Sequence, residues 1–506
     1  MLDDGQELAL IDLREELIFS RCHLLWARNV PLSRLELRFA HLVPRKTTRI
    51  VLVDDDDRLC ARAAAVLARA GYSDVSSLAG GNAAWAAPGY ELFSGVNVPS
   101  KAFGEFIEHQ NHTPSVSAEE LDTLLRAHTD MVVLDSRPFD EYSRNSIPGG
   151  VNVPGAELVL RVHDIAPSPD TLIVVNCAGR TRSIIGAQSL INAGVPNKVV
   201  ALRNGTMGWH LAGFACDKGM SARFPALSEA GLAWAKQAAA AVARRFDITR
   251  ISSATVAHWR ADPTRTTYVF DVREPAEYAA GHYPGAISAP GGQLVQATDQ
   301  YAGTLGARIV VCDDREVRAV MTASWLKQMG WRDVAVLAEA GEEKGEPADI
   351  VLGTPPEDAA IDCAVLRALA DATVVDLAPS PNYRKGHIPG AWFAIRARLA
   401  QALAKIEPRG TLVLTSEDGV LAGVAVAEAR ALTALPVRWL KGGNAAWAAA
   451  GYPLATEAKL ADEPLDAWLK PYERAGNPKA AMNEYLSWEI DLLERIKRDG
   501  TTRFGV

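Results

Sequence analysis

The chain has 506 residues, of which 48% are hydrophobic and 23% charged, a composition typical of soluble protein and a length that exceeds one hydrophobic core. Its formal net charge of −8 argues against general nucleic-acid binding. Six scattered cysteines form no C-x-x-C pair, which excludes a disulfide framework and a cysteine zinc site and favours a reducing compartment.

The N-terminal stretch MLDDGQELALIDLRE is acidic and lacks the cationic and apolar regions of a secretory signal. No apolar run approaches the roughly 18 residues that a membrane span needs. We therefore expect a cytoplasmic protein that has no membrane partner.

Four segments repeat one layout along the chain. The first contains ALIDLRE at 9–15, IVLVDDDD at 50–57 and GGNAAWAAPGY at 80–90, and the second contains VVLDSRPFDEY at 132–142, IVVNCAGRTRS at 173–183 and NGTMGWHLAGF at 204–214. The third contains YVFDVREPAEYAAGHYPGA at 268–286 and IVVCDDREVRA at 309–319, and the fourth contains VVDLAPSPNYRKGHIPGA at 374–391, LVLTSEDG at 412–419 and GGNAAWAAAGY at 442–452.

The spacing between these motifs is nearly constant. Asp54, Cys177 and Asp313 each lie 42 residues after the Asp that ends the first apolar run of their repeat, and Ser416 lies 40 residues after it. These four residues therefore occupy equivalent positions. Three repeats also end with a Trp at an equivalent place, which we expect to be a packing residue: Trp85, Trp209 and Trp447.

Each repeat has the pattern of apolar strands that alternate with helices. Continuous β-branched runs separated by helices indicate parallel strands that are buried on both faces. Ser117 and Glu120 form a predicted capping box that opens a helix before the second repeat. Residues 228–246 predict a linker helix, and residues 481–499 predict an amphipathic helix beyond the repeats. The predicted fold class is α/β, with a small parallel sheet flanked by helices in each of four domains.

The predicted domain boundaries follow from these repeats. Module one is 1–96, module two is 97–216, and module three, which begins with the linker helix, is 217–348. Module four is 349–456, and a helical C-terminal extension covers 457–506.

The motifs resemble those of the rhodanese family of sulfurtransferases, in which D-x-R-E is followed by G-H-I-P-G-A, a catalytic Cys after a central strand, and G-G-x-x-A-W. The corresponding stretches are Asp271–Glu274, Gly281–Ala286, Gly386–Ala391, Cys177 and Gly80–Trp85. The resemblance covers residues 1 to about 456. It implies four tandem rhodanese-like domains, of which only module two keeps the nucleophile.

Cys177 lies where an apolar strand ends and a helix begins. A cysteine reacts as its thiolate, which the free N–H groups of the loop and the first helical turn would stabilise. Arg180 and Arg182 add positive charge close by. Because Ala178 and Gly179 are small, the backbone can curl around the sulfur. The stretch therefore predicts an anion cradle.

A thiolate next to two guanidinium groups suits a small anionic sulfur donor such as thiosulfate. We expect Cys177 to attack the outer sulfur, release sulfite and pass the sulfur from a persulfide to cyanide or a thiol acceptor. Arg180 and Arg182 would hold the sulfonate. The full set of expected substrate-binding residues is Ala178, Gly179, Arg180, Thr181, Arg182 and Ser183. No metal and no cofactor are expected.

Two residues that open module two are expected to support this loop. The resemblance implies that Asp135 and Arg137 pair close to it, without a catalytic role. The loop departs from the commonest family form, C-x-x-G-x-R, because Gly179 is third and Arg180 takes the usual Gly place. This departure concerns the preferred donor more than the class of reaction.

The other three modules are predicted to be catalytically silent. Asp54, Asp313 and Ser416 have no nucleophilic sulfur, and the aspartates would repel anionic donors. The run Asp54–Asp57 fits a helix N-terminus better than a metal site. Cys312 should point into the core because strand side chains alternate. Cys216 could act as a resolving thiol, but no spacing motif supports that role.

Two other classes of function remain open. Phosphatases and arsenate reductases of related fold need an Arg six residues after the Cys, where this chain has Ser183. A scaffold or sulfur-carrier interaction protein would use the silent modules and the extension to dock partners, and a homo-oligomer is one outcome. The extension carries aromatic residues that could cover a neighbouring module: Trp468, Tyr472, Tyr485 and Trp488.

Overall fold

Buried runs of Val, Ile and Leu form the central strands of every module in the computed structural model, which describes residues 1–2, 4–345, 350–474 and 476–505. In module one the strands and helices are β1 (Ala9–Asp12), α1 (Glu16–Phe19), β2 (Arg28–Asn29), α2 (Leu35–Leu42), β3 (Ile50–Val53), α3 (Arg58–Arg69), β4 (Val75–Ser77) and α4 (Gly81–Ala86). A short 3-10 helix covers Leu32–Arg34.

Module two adds a long first helix to the same layout. Its elements are α5 (Val98–Asn111), β5 (Ser115–Val116), α6 (Ala118–Arg126), β6 (Met131–Asp135), α7 (Phe139–Arg144), β7 (Val151–Asn152), α8 (Leu158–Ile165), β8 (Leu172–Asn176), α9 (Thr181–Asn192), β9 (Val199–Leu202) and α10 (Gly205–Leu211).

Module three begins with the linker helix. Its elements are α11 (Glu229–Arg245), β10 (Thr249–Arg250), α12 (Ser253–Ala261), β11 (Thr267–Asp271), α13 (Pro275–Ala280), β12 (Ile287–Ser288), α14 (Gly291–Gln296), a 3-10 helix (Thr298–Gln300), β13 (Arg308–Cys312), α15 (Val317–Gln328) and β14 (Val334–Leu337).

Module four and the extension complete the described chain. Their elements are a 3-10 helix (Glu357–Ala359), β15 (Ala360–Ile361), α16 (Cys363–Ala368), β16 (Ala372–Asp376), α17 (Ser380–Lys385), β17 (Trp392–Phe393), a 3-10 helix (Arg396–Arg398), α18 (Leu399–Ile406), β18 (Thr411–Thr415), α19 (Val420–Leu432), β19 (Val437–Leu440), α20 (Gly443–Ala449), β20 (Lys459–Leu460), a 3-10 helix (Pro471–Glu473) and α21 (Pro478–Asp499).

Each module has one parallel sheet, which confirms the predicted fold class. The strand orders are β2-β1-β3-β4, β5-β9-β8-β6-β7, β10-β14-β13-β11-β12 and β15-β19-β18-β16-β17-β20. In module two, Asp135 at the end of β6 pairs with Asn176 at the end of β8. This register brings the carboxyl ends of the two central strands together at the loop that starts with Cys177.

The helices predicted outside the central layout are confirmed. Ser117 accepts a hydrogen bond from the backbone N–H of Glu120 at 3.2 Å, and the Glu120 carboxylate accepts one from the backbone N–H of Ser117 at 2.6 Å. The linker helix α11 starts after Ser228 as its N-cap, and α21 contains the predicted amphipathic stretch. Among the described residues, no helix combines the length and the apolarity that crossing a bilayer requires.

The described chain forms two compact units, each of which pairs two modules. The first comprises Met1–Leu8, Asn97–Ala348 and Leu469–Val506, and the second comprises Ala9–Val96 and Asp349–Trp468. Within the first unit, one hydrophobic core runs through modules two and three. The Trp325 indole N–H of module three donates to Ser189 Oγ of module two at 2.8 Å inside this core. Modules two and three therefore fold as a packed pair.

A glycine at the start of α10 lets this helix approach the Cys177 loop. Gly205 has φ +55°, and a Cβ atom there would overlap the backbone carbonyl of Cys177. The next two backbone N–H groups donate to the loop, from Thr206 to the Cys177 carbonyl at 2.9 Å and from Met207 to the Ala178 carbonyl at 3.0 Å. Gly81 and Gly443 approach the equivalent carbonyls of Asp54 and Ser416 in the same way.

Replacing this glycine should destabilise the first unit. Gly205→Ala should cost more than about 2 kcal/mol, because steric overlap with the Cys177 carbonyl adds to the strain of a left-handed alanine. Gly194→Ala is the matched control in the same module, since Gly194 has φ +73° and open space around its Cα. Calorimetric unfolding of both variants measures the difference, and equal losses of stability would contradict the role assigned to the close approach.

Candidate active site

Cys177 follows β8 directly and is 2% exposed. Its Sγ lies 3.5 Å from the Ser183 hydroxyl, which donates to the Arg180 carbonyl at 2.8 Å. Helix α9 begins at Thr181, so the N-terminus of a twelve-residue helix faces the same loop as the sulfur. The strand-to-helix position that the sequence predicts for Cys177 is therefore confirmed.

The backbone of this loop contains N–H groups that are available as hydrogen-bond donors. Within the described part of the chain, the N–H groups of Ala178, Gly179 and Arg180 donate to no protein oxygen. A buried N–H group without an acceptor is unfavourable, so these groups favour an anion in the loop.

In module one, the equivalent loop already surrounds a carboxylate. Asp54 takes the place of Cys177, and it accepts backbone hydrogen bonds from Asp57 at 2.7 Å, Leu59 at 2.7 Å and Cys60 at 3.1 Å. This is the helix N-terminal role that the sequence predicts for the acidic run. Oxygen and sulfur atoms of Asp54, Asp57 and Cys60 also lie within 4.8 Å of one another. Because the Asp54 oxygens are engaged by the backbone, the helix N-terminus accounts for the cluster.

Module three repeats this arrangement. Asp313 accepts backbone hydrogen bonds from Arg315 at 2.9 Å, Arg318 at 2.8 Å and Ala319 at 3.3 Å. In module four, Ser416 Oγ accepts one from Ala422 at 3.3 Å. The loop therefore binds a carboxylate in modules one and three and a neutral hydroxyl in module four, and the two carboxylates agree with the predicted anion cradle in module two.

The predicted Asp135–Arg137 pair is present next to the loop. Arg137 donates to both Asp135 oxygens at 2.8 and 2.6 Å, and both side chains are buried. The Asn176 amide also donates to Asp135 at 3.0 Å, immediately before Cys177. Equivalent pairs, Asp12–Arg14 and Asp271–Arg273, occur in modules one and three. The supporting role of the pair in catalysis stays a prediction.

Arg180 is engaged by carboxylates of α5. Its guanidinium donates to Glu105 at 2.7 Å from two nitrogens, to Glu108, and to the Asn204 side chain at 3.2 Å. Burial lowers the pKa of Arg180, but Glu105 and Glu108 raise it by more. Binding of a donor by Arg180 stays a prediction, and it would require one of these partners to move.

Arg182 has fewer anionic partners and lies in the electrostatic field of the sulfur. It donates to Glu141 at 2.8 and 3.3 Å and to the Gln293 amide oxygen of module three at 3.2 Å. Burial lowers the pKa of Arg182, but Glu141 and then Cys177 raise it by more. As a donor ligand, Arg182 also stays a prediction.

Helix α21 of the extension covers the outer side of the loop. Tyr485, Leu486 and Glu489 lie against Gly179, where a Cβ atom would be 3.2 Å from Glu489 Oε2. Glu489 is fully buried, and its other carboxylate oxygen lies 3.2 Å from Lys101 Nζ of α5. The prediction that extension aromatics cover a module is confirmed for Tyr472 and Tyr485, which pack with Ala178 and Met207.

Sequence reasoning missed Lys101, Glu141, Gln293 and Glu489. The first and the last lie outside the repeated motifs, and no local pattern points to them. The sequence could have identified Glu141, because Glu141 and Glu277 each follow the opening Asp of their module by six residues. In both modules an Arg also follows the Cys position by five residues, at Arg182 and Arg318. The matched spacing predicts an ion pair.

Two further cysteines, Cys312 and Cys216, lie in hydrophobic surroundings. Cys312 is fully buried in a hydrophobic cluster of module three, as strand alternation predicts, and burial raises the pKa of its thiol. Cys216 is half-buried and packs against the core of module two. The closing tryptophans pack as expected, with each indole N–H donating to a carbonyl six residues later: Trp85 to Glu91, Trp209 to Ala215 and Trp447 to Pro453.

Comparison with known proteins finds one family throughout the chain. The family model of the rhodanese-like domain matches four stretches, at residues 1–88, 117–212, 254–342 and 363–450. Each stretch lies inside one of the predicted modules, whose boundaries stay predictions. The four matches together cover most of the sequence.

Individual relatives resemble the chain to different extents. The crystal structure of a thiosulfate sulfurtransferase from Pseudomonas aeruginosa has a TM-score of 0.97 and 50% identity, and the match covers 100% of this chain and 97% of that chain. An HTH-type transcriptional regulator from Mycobacterium tuberculosis is 32% identical over 90 residues. That match covers 18% of this chain and 39% of the regulator, so the chain spans well under two thirds of this curated relative.

The Glu141–Arg182 pair should stabilise the fold in a pH-dependent manner. Burial raises the pKa of Glu141, but Arg182 and then Lys470 lower it by more, so the folded pKa lies well below its ordinary value. The stabilisation is therefore present above the unfolded carboxyl pKa of about 4.3 and is lost as the pH falls below it.

Glu141→Gln should accordingly lower the unfolding midpoint at neutral pH, by an amount that shrinks as the solution is acidified below about pH 4.3. Asp140→Asn, an exposed carboxylate on the same helix, should change little at either pH. Thermal unfolding across this pH range measures both variants. A Glu141→Gln effect that is independent of pH would exclude an ionic origin.

Proposed function

The chain belongs to the family of rhodanese-like domain proteins, in the sulfurtransferase superfamily, and we propose that it moves sulfane sulfur from thiosulfate through Cys177 to a thiol or cyanide acceptor. The observation that carries the proposal is the loop that begins at Cys177. It leaves backbone N–H groups without acceptors, whereas the same loop surrounds carboxylates at Asp54 and Asp313. A loop that binds a carboxylate in modules one and three suits a thiolate and a persulfide anion in module two.

The proposed reaction has two displacement steps. The Cys177 thiolate attacks the outer sulfur of thiosulfate, a new S–S bond forms, and the original S–S bond breaks with its electron pair leaving on sulfite. An acceptor thiolate or cyanide then attacks the outer sulfur of the persulfide. The Cys177 thiolate leaves, and the product is an acceptor persulfide or thiocyanate. Neither step consumes a proton, because both leaving groups are stable anions.

The charged side chains suggest unequal roles for the two arginines. Arg182 has one carboxylate ion-pair partner, Glu141, and Cys177 also helps to raise its pKa, so it retains capacity for a sulfonate. Arg180 already has two carboxylate partners. We therefore assign sulfonate binding mainly to Arg182, and we assign to Arg180 the anchoring of the loop on α5. The loop amides of Ala178, Gly179 and Arg180 would hold the persulfide.

Sulfur loading tests the nucleophile directly. The reduced protein, incubated with thiosulfate, should gain the mass of one sulfur atom that cyanide removes, because Cys177 stores it as a persulfide. Cys177→Ser should gain none, and Cys216→Ser, the matched control in the same module, should load like the wild type. Intact-mass spectrometry measures all three proteins.

Absence of added sulfur on the wild type would exclude thiosulfate as the donor. It would then favour the scaffold function, in which the silent modules dock partners. Sulfur loading of the Cys177→Ser variant would show that another residue is the nucleophile.

Substitution of the arginines separates donor binding from loop anchoring. Arg182→Leu should lower kcat/KM for thiosulfate by about 10² or more, because a charge that stabilises the developing sulfite is lost. Arg180→Leu should mainly lower stability, by about 3–5 kcal/mol, because Glu105 is left buried without its partner. Steady-state kinetics and thermal unfolding of both variants measure the two effects. A kinetic loss in Arg180→Leu at unchanged stability would instead show that Arg180 holds the donor.

A further inference from the structure

Modules two and three carry the same charged framework at a constant offset of 136 residues. Arg182 corresponds to Arg318, and their partners Glu141 and Glu277 correspond as well. Each arginine also donates a hydrogen bond to a side chain of the other module, and the two accepting residues occupy equivalent positions. Arg318 donates to Glu157 of module two, and Arg182 donates to Gln293 of module three. The two modules therefore orient each other's arginine by a reciprocal contact.

The two arginines differ in how completely their charge is neutralised. Arg318 is fully buried and pairs with four carboxylates: Glu157 at 2.7 Å, Glu277 at 2.6 Å, Asp313 at 3.3 Å and Asp314 at 2.8 Å. Every anionic position around this silent site is thus filled by the protein itself.

Around Arg182, three of the four equivalent positions carry no permanent charge. Cys177 replaces Asp313, Ala178 replaces Asp314, and Gln293 replaces the cross-module carboxylate. Cys177 and Ala178 belong to the catalytic loop. Gln293 is the one replacement that the silent module supplies.

An amide at this position keeps the geometry and omits the charge. A guanidinium has only donors, so the Gln293 oxygen must face Arg182, at the 3.2 Å observed. A carboxylate there would compete with any anion that approaches Arg182, and it would disfavour a thiolate at Cys177. The neutral side chain fixes the guanidinium and leaves its charge for a ligand.

On the basis of the sulfurtransferase function proposed above, we propose that Gln293 of silent module three is a positioning residue that sets the specificity of module two for anionic donors. Module three thereby contributes to catalysis without a nucleophile of its own. The donors favoured by this arrangement carry a sulfonate or another oxyanion on the transferable sulfur.

Gln293→Glu tests the proposal with almost no change of shape. The added carboxylate should shift the pH midpoint of Cys177 thiolate formation upward by about one unit and should raise KM for thiosulfate about tenfold, with a smaller change in kcat. The thiolate is followed by its ultraviolet absorbance against a Cys177→Ser blank, which requires neither donor nor turnover.

Two variants complete the test. Glu157→Gln replaces a carboxylate by an amide at the equivalent contact, which is made with Arg318. It should leave both the thiolate midpoint and KM unchanged. Gln293→Met removes the hydrogen bond without adding charge, and it should shift the midpoint less than Gln293→Glu does.

The outcomes separate this inference from the proposed function. An unshifted thiolate midpoint in Gln293→Glu, or an equal shift in Glu157→Gln, would overturn the role of Gln293. If Gln293→Glu shifts the thiolate midpoint but the wild-type protein does not load sulfur from thiosulfate, the electrostatic role of Gln293 is retained and thiosulfate is overturned as the donor.

Discussion

The backbone N–H groups that follow the second central strand are the constraint on which each module depends. Where the strand ends, they converge on one side chain, and that side chain must accept hydrogen bonds. Asp54 and Asp313 meet this requirement with a permanent charge. Cys177 takes this position in module two, where the proposed thiolate or persulfide would accept them. One loop geometry is therefore a helix start in two modules and the proposed reactive site in another.

The repeat pattern predicted most of the fold, because strands and turns recur at constant spacing. The strands that end at Asp135 and Asn176 and the position of Cys177 followed from it, and the local spacing of Ser117 and Glu120 predicted the capping box. The surroundings of the cysteine were harder to predict. Arg180 could be read as a free cation, since Glu105 lies 75 residues earlier and outside the repeats. Only tertiary packing brings these two side chains together.

The pairing of modules two and three gives a structural meaning to Asp313, which stands in module three where module two has Cys177. Module three keeps a charged site, because Arg318 is present and carboxylates of the protein itself neutralise it. The same interface presents Gln293 to Arg182. A silent module can therefore be selected for the charge that it offers its neighbour as well as for its own packing.

The first unit is discontinuous along the chain, and this affects the order in which the surroundings of Cys177 are completed. Helix α21 covers Gly179, yet the ribosome makes it after module four has been synthesised. Until then, the Cys177 loop of a nascent chain lacks Tyr485 and Glu489. Enclosure of the Cys177 loop is therefore a late event in biosynthesis, and it depends on a segment that is remote in sequence.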